Sequence, residues 1–168
     1  GKLYLIPSPL GENDPMEVIP LPVLKSLEGF RTFVVEEVRT ARRYLSKAGL
    51  KGRIGELQFF ELNEHTEQSA VESYLKLFDN GNDVALISEA GLPAVADPGA
   101  LLVALAHRHG IEVIPAVGPS SLMMSLRSEL QRQLTERTGT SDLRRRSNSL
   151  TLSSTRTSRR ARHIQPRE

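Results

Sequence analysis

Three short segments rich in glycine and proline have the composition of ligand-binding turns. They are "PSPLGE" at residues 7–12, "SEAGLPAVADPG" at residues 88–99 and "GPSS" at residues 118–121. Glycine lets a ligand approach the backbone closely, and a helix that starts after a turn offers free N–H groups to a carboxylate or phosphate. One turn of this kind is weak support for a site, but three at one edge of a sheet predict the floor of a pocket.

Several familiar kinds of site are excluded by the sequence. None of the three segments has the glycine spacing of a dinucleotide-binding fingerprint or of a P-loop, and no serine lies in a nucleophile elbow. The chain has no cysteine and its four histidines are not clustered, so no metal site is predicted. Without cysteine, a signal-like segment or a long apolar run, the chain is expected to be a soluble cytoplasmic protein with no membrane partner.

Hydrophobic periodicity predicts five strands that alternate with helices, and each of the three turns follows one of these strands. The predicted strands cover residues 3–7, 31–37, 54–63, 83–88 and 111–117. The predicted helices cover residues 20–30, 40–49, 67–81 and 101–110, and a further helix follows the "GPSS" turn. This alternation predicts an α/β fold, in which a mostly parallel five-stranded sheet carries helices on both faces. In such sheets ligands bind beyond the carboxyl ends of the strands, where the three turns lie.

Residues 127–168 differ in composition from the rest of the chain. They contain eleven arginines, no lysine and four acidic residues, a net charge of +7, whereas residues 1–126 carry −5. They also hold thirteen serines and threonines and no aromatic residue, so they are predicted to be disordered because they can bury little apolar surface. We therefore predict an α/β domain at residues 1–126 and an Arg/Ser/Thr-rich tail at residues 127–168. The tail either binds nucleic acid through its arginines or is merely solvated.

Four segments of the chain carry a resemblance to known proteins, namely "LYLIPSPLGE", "VVEEVRTARRYL", "LNEHTE" and "ALISEAGLPAVADPGALLVALAHRHGIEVIPAVGPSSLMMSL". In order and spacing they resemble the tetrapyrrole methylase superfamily, and within it the ribosomal RNA small subunit methyltransferase I group. The resemblance covers about residues 3–126 and implies the N-terminal domain of the methylase fold. It also implies S-adenosylmethionine as cofactor, 2′-O-methylation of a cytidine of 16S rRNA in the 30S ribosomal subunit, and a homodimer as the complete protein.

Carried over residue by residue, the resemblance implies a cofactor site built from all three turns. The implied cofactor-binding residues are Leu10, Gly11, Ala90, Gly91, Leu92, Val95, Ser120 and Ser121. The second turn is then the loop that wraps the cofactor. Three positions depart from the usual residues of the group, since Glu12 stands for Asn, Glu89 for Asp and Leu92 for Thr. These departures leave open a divergent subgroup with another acceptor.

The implied reaction makes a general base useful, because the acceptor hydroxyl must lose its proton. Glu37 and His65 are the predicted catalytic residues, with Glu36 and the remainder of the "NEH" segment at residues 63–65 as further candidates. The same residues also have structural interpretations. The two glutamates can face water at the end of a strand, and His65 can be a hydrogen-bonded loop residue.

Three arginines are predicted to contact RNA phosphates. They are Arg39, Arg42 and Arg43, which lie within six residues after Glu37. The alternative is that they form the solvated side of an amphipathic helix.

Members of the resembled group continue after the "GPSS" helix into a second α/β half, which residues 127–168 do not resemble. We hypothesise that these residues are an out-of-frame read or a truncated product, in which case the chain lacks part of the cofactor site. Two other functions stay open. One is a methyltransferase for small, tetrapyrrole-like molecules that shares the same pocket, and the other is a non-enzymatic remnant that binds RNA through its arginine-rich tail.

Overall fold

A five-stranded parallel sheet forms the centre of the protein, whose computed structural model describes residues 1–95 and 97–138. The strands are β1 (Leu3–Ile6), β2 (Thr32–Val35), β3 (Gln58–Glu61), β4 (Val84–Ile87) and β5 (Val113–Pro115). Their order is β3-β2-β4-β1-β5, and every neighbouring pair is parallel. All residues of β2 and β4 are buried, as expected for inner strands that are covered on both faces. The predicted fold class is confirmed.

Helices cover the two faces of this sheet. They are α1 (Pro15–Val18), α2 (Leu21–Ser26), α3 (Val38–Leu45), α4 (Gln68–Ser73) and α5 (Gly99–Arg108). Successive side chains of a strand point to opposite faces, so Phe33 and Val35 of β2 pack with the first three helices, whereas Val34 packs with α4 and α5. Each face therefore has its own hydrophobic core.

Several element boundaries differ from the predicted ones. The predicted helix at residues 20–30 is α2 followed by a 3₁₀ turn at Leu27–Gly29, and the predicted helix at residues 67–81 is α-helical only over Gln68–Ser73. Its continuation is a 3₁₀ segment that ends where Asn80 and Gly81 adopt positive φ angles. Backbone conformations of this kind cannot extend an α-helix, and hydrophobic periodicity does not reveal them.

The last described helix, α6 (Ser121–Thr138), extends beyond the predicted domain boundary at Leu126. The chain divides into one compact unit at Gly1–Leu122 and a second that begins at Met123. Residues 127–138, which the sequence assigned to the tail, are thus described as the continuation of α6. Their glutamines, leucines and arginines favour a helix, and Glu129 accepts hydrogen bonds from Arg132 at 2.7 Å and Gln133 at 2.9 Å, one helical turn away. The predicted tail at residues 139–168 lies outside the described residues.

Within residues 1–95 and 97–138, no helix combines the length and the apolar character that crossing a membrane requires.

Candidate ligand-binding cleft

The first two glycine-rich turns are joined by backbone hydrogen bonds. Ser8, two residues after β1, and Gly91, four residues after β4, exchange both of their backbone hydrogen bonds, with N···O distances of 2.9 and 3.1 Å. The Ser8 hydroxyl also donates to the carbonyl oxygen of Ser88 at 3.0 Å. The segments after two neighbouring strands are thus joined into one floor.

The glycines of the second and third turns allow all three turns to come into contact. Gly91 has a φ of +76°, and a Cβ atom built there would lie 2.9 Å from Leu10 Cδ2 and 3.4 Å from the Pro119 carbonyl oxygen. A Cβ atom at Gly118 would lie only 2.2 and 2.4 Å from ring atoms of Pro7. These glycines therefore act first as packing positions between turns, because a side chain at either one would force the turns apart.

A cleft of about 550 Å³ opens at this edge of the sheet. Residues 8–13 after β1 and residues 87–90 at the end of β4 form two of its walls, and Glu36 with one side of α3 forms the third. The cleft thus lies beyond the carboxyl ends of β1, β2 and β4, where parallel sheets bind ligands. Its volume is within the range of about 300–1,000 Å³ that is usual for small-molecule sites.

The structure places four of the eight predicted cofactor residues at or beside the cleft and four outside its lining. Leu10, Gly11 and Ala90 line the cleft, and Gly91 lies next to them in the bridge to Ser8. The other four do not line it, namely Leu92, Val95, Ser120 and Ser121. The third turn packs close to Gly91, since a Cβ atom there would lie 3.4 Å from the Pro119 carbonyl oxygen and 3.8 Å from the Ser121 nitrogen.

Glu37, a predicted catalytic residue, lines the cleft but caps a helix. Its carboxylate accepts hydrogen bonds from the backbone N–H groups of Arg39 at 2.7 Å and Thr40 at 2.6 Å, and from the Thr40 hydroxyl. The Thr40 hydroxyl foremost, and then the two N–H groups, hold the pKa of this carboxyl below its ordinary value against the opposing effect of burial. A carboxylate stabilised in this way is a weak proton acceptor.

Replacement of the cap by Glu37→Ala is expected to lower the free energy of unfolding by about 1 kcal/mol at pH 7, because α3 loses its N-terminal acceptor. The pKa of Glu37 in the folded chain is below its ordinary value of 4.5. Its contribution is therefore complete above pH 4.5 and is lost as the pH falls through the lower, folded value. Urea unfolding at several pH values measures this difference, with Glu72→Ala on the exposed side of α4 as control. A loss that is equally large at pH 7 and pH 2 contradicts the expected role of the charge.

Glu36 is the carboxylate that the sequence left as an alternative, and it faces the cleft at the end of β2. One carboxylate oxygen accepts a hydrogen bond from the backbone N–H of Glu89 at 3.1 Å. The second oxygen accepts none from the described residues. Glu36 therefore connects the ends of β2 and β4 and keeps one carboxylate oxygen without a donor among the described residues.

His65, the other predicted catalytic residue, lies away from the cleft. Its side chain is 84% exposed in the loop after β3, and its Nε2 atom lies 3.5 Å from the Glu64 carboxylate. Its backbone N–H donates to the side chain of Asn63, which closes a local turn. The structure thus agrees with the alternative interpretation of His65 as a loop residue.

The three predicted RNA contacts have three different environments on α3. The Arg43 side chain lines the cleft, whereas the Arg42 guanidinium lies over the ring of Phe59 at 5.2 Å from its centroid. Arg39 is exposed one turn before Arg43. Lys47, one turn after Arg43, also lines the cleft and was not predicted. Its spacing of four residues from Arg43 is the signal that identifies it.

Tyr44 fixes α3 to the first turn. Its hydroxyl donates to the Pro7 carbonyl oxygen at 3.0 Å, and burial raises the pKa of the phenol, which therefore remains protonated at neutral pH. This hydrogen bond connects the helix that carries Arg43 to the turn that carries Leu10. The two walls of the cleft are thus joined at their base.

No protein-family model matches the chain. It is similar to proteins named ribosomal RNA small subunit methyltransferase I, with 32% identity over 126 residues to that of Escherichia coli O157:H7. The identity is 35% over 124 residues for Mesorhizobium japonicum and 33% over 122 residues for Thermotoga maritima. These matches cover 73–75% of the chain and 40–51% of the relatives. The chain therefore aligns with between two fifths and half of the length of these relatives.

Proposed function

Because the chain belongs, over a match of 126 residues, to the ribosomal RNA small subunit methyltransferase I group of the tetrapyrrole methylase family, we propose that it is a methyltransferase that modifies ribosomal RNA. The finer proposal is S-adenosylmethionine-dependent 2′-O-methylation of a cytidine of 16S rRNA in the 30S subunit, by a cytoplasmic homodimer. The observation that carries the proposal is the cleft at the ends of β1, β2 and β4, which Leu10, Gly11 and Ala90 line.

The cleft fits a cofactor of this kind in size and in chemistry. Leu10, Ile87 and Ala90 offer apolar contacts, and the exposed backbone of Gly11 permits close approach. Glu36 and Glu89 supply acidic groups for the cationic or hydroxyl parts of a ligand. S-adenosylmethionine supplies a methyl group on a sulfonium, so that a carbon–sulfur bond breaks as a carbon–oxygen bond to the acceptor forms.

The main task of the protein in such a displacement is to hold donor and acceptor in line. Glu36 is the proposed acceptor of the hydroxyl proton, because it lines the cleft and its second oxygen accepts no hydrogen bond from the described residues. Glu37 is not the proposed base, because its oxygens accept hydrogen bonds from the first turn of α3. Its proposed role is to cap α3 and thereby to position Arg43. His65 has no proposed part in the transfer, because it does not line the cleft.

Cations on one side of α3 form the proposed contact with the RNA backbone. Arg39, Arg43 and Lys47 are spaced by four residues and therefore lie along the same side of the helix and the turn that follows it. Arg43 and Lys47 reach the rim of the cleft, where phosphates next to the target nucleotide would lie. Arg42 is excluded from this proposal, because its guanidinium is placed over Phe59.

The decisive test is transfer of a labelled methyl group from S-adenosylmethionine to unmethylated 30S subunits by the full chain. We expect incorporation at a cytidine 2′-oxygen, and a decrease of about 100-fold or more for Glu36→Gln, since general bases contribute about 10²–10⁴-fold. The matched variant Glu37→Gln retains a hydrogen-bond acceptor for the helix cap and is expected to lose far less activity. Label that enters only small molecules, or equal rates for the two variants, would overturn the proposed acceptor or the proposed base respectively.

A further inference from the structure

Two buried serines lie next to each other beneath the cleft, and they differ in their hydrogen bonding. Ser8 is 3% exposed and its hydroxyl donates to the carbonyl oxygen of Ser88. Ser88 is 8% exposed, yet its own hydroxyl has no hydrogen-bond partner. Among the buried side-chain polar atoms that the structure describes, Ser88 Oγ alone is in this state.

The fold does not use the Ser88 hydroxyl, although it uses the neighbouring polar groups. The Ser88 carbonyl accepts from Ser8, and the next backbone N–H, that of Glu89, donates to the Glu36 carboxylate. Burial of a hydroxyl without a partner is unfavourable, and protein interiors contain few such groups. An unpartnered hydroxyl at the end of β4 therefore indicates a partner that comes from outside the chain.

The described residues form two spaces that Ser88 lines. One is a narrow void, lined by Leu62, Leu86 and Pro93 and also by Glu36 and Asp97, that leaves no room for a water-sized molecule. The other is the cleft of about 550 Å³, which Ser88 also lines. A serine hydroxyl turns by rotation about a single bond and can both donate and accept. Of the two spaces that the described residues form around Ser88, the cleft is the one with room for a partner of this hydroxyl.

We propose that Ser88 is a ligand-binding residue, whose hydroxyl turns toward the cleft and forms a hydrogen bond with a polar group of the bound methyl donor. The inference rests on the proposed function for the identity of the ligand. Ser88 then fixes the orientation of the donor against the floor that Ser8 and Gly91 form. Ser88 is not one of the eight predicted cofactor residues, and its proposed role differs from that of the proton acceptor Glu36.

The test compares Ser88→Ala with the matched control Ser8→Ala in the full chain. Calorimetric titration with S-adenosylmethionine is expected to show about three- to tenfold weaker binding for Ser88→Ala, the effect of one neutral hydrogen bond. The melting temperature of the ligand-free Ser88→Ala chain is expected to remain that of the wild type or to rise. Ser8→Ala removes a hydrogen bond of the fold itself, so its melting temperature is expected to fall by about 2–8 °C.

The melting temperatures and the affinities distinguish a ligand-binding role of Ser88 from a structural one. If ligand-free Ser88→Ala melts as early as Ser8→Ala, the hydroxyl has a structural role and the assignment is overturned, whatever the wild type binds. Unchanged affinity of Ser88→Ala for the donor overturns it as well. If the wild type does not bind S-adenosylmethionine while both melting temperatures behave as expected, the proposed cofactor fails together with Ser88 as its contact.

Discussion

A Gly118→Ala variant is expected to lose about 1–3 kcal/mol of unfolding free energy, the usual cost of adding atoms to a closely packed site. The new Cβ atom would lie 2.2 and 2.4 Å from the Pro7 ring. Pro7 is fully buried and its ring is rigid, so it cannot turn aside as a flexible side chain would. The third turn must therefore move away from the first, which also loosens the second turn through Gly91. Urea unfolding measures the loss directly.

Gly11→Ala is the matched control for this variant. Gly11 belongs to the first turn, but a Cβ atom there meets nothing within 4 Å and its φ angle is not in the positive range. We expect its stability to remain within about 1 kcal/mol of the wild type, since alanine also restricts the unfolded chain. Equal stability of both variants would show that the turns do not depend on the close contact between Gly118 and Pro7.

The largest expected effect on binding comes from Ala90→Trp. Ala90 is exposed on the wall of the cleft, so an indole at this position fills space that the proposed donor needs. Binding of S-adenosylmethionine is expected to weaken by about 100-fold or more, which corresponds to about 2.7 kcal/mol. The melting temperature is expected to change little, because the new side chain starts from an exposed position. Calorimetric titration and thermal unfolding of the same sample separate the two effects.

Ala104→Trp provides the same substitution at an exposed position of α5 that does not line the cleft. This control is expected to bind the donor as the wild type does. Undiminished binding by Ala90→Trp would mean that the donor occupies another part of the chain. A similar decrease in both variants would point to a general effect of the added indole.

The alternation of strands and helices could be predicted because it depends on local periodicity. The buried segment "DVALIS" and the glycines after each helix are enough to identify a parallel sheet. The meeting of three turns also follows, since the carboxyl ends of parallel strands lie at one edge. Which residues of a turn face the ligand does not follow, because it depends on contacts between turns. The positive φ of Gly91 is one such tertiary feature.

The different roles of the adjacent residues Glu36 and Glu37 could not be predicted from the sequence either. Neighbouring residues at the end of a strand point in different directions, and periodicity does not say which one enters the helix cap. Glutamate is not among the preferred capping residues, so Glu37 gave no clear signal. The Thr40 hydroxyl three residues later, which donates to the Glu37 carboxylate, is the partner that identifies the cap. The pairing resembles a capping box with its two residue types exchanged.

The position of β4 between β1 and β2 also has a consequence for the order in which the protein folds. β1 pairs only with β4 and β5, so Leu3 remains unpaired until Val84, 81 residues later, has been synthesised. Closing so long a loop costs entropy and makes this pairing slow compared with the formation of local helices. Because the cleft is formed from the ends of β1, β2 and β4, it cannot exist before β4 inserts between its neighbours. Assembly of the ligand-binding site and the joining of β1 to β2 through β4 are therefore the same event.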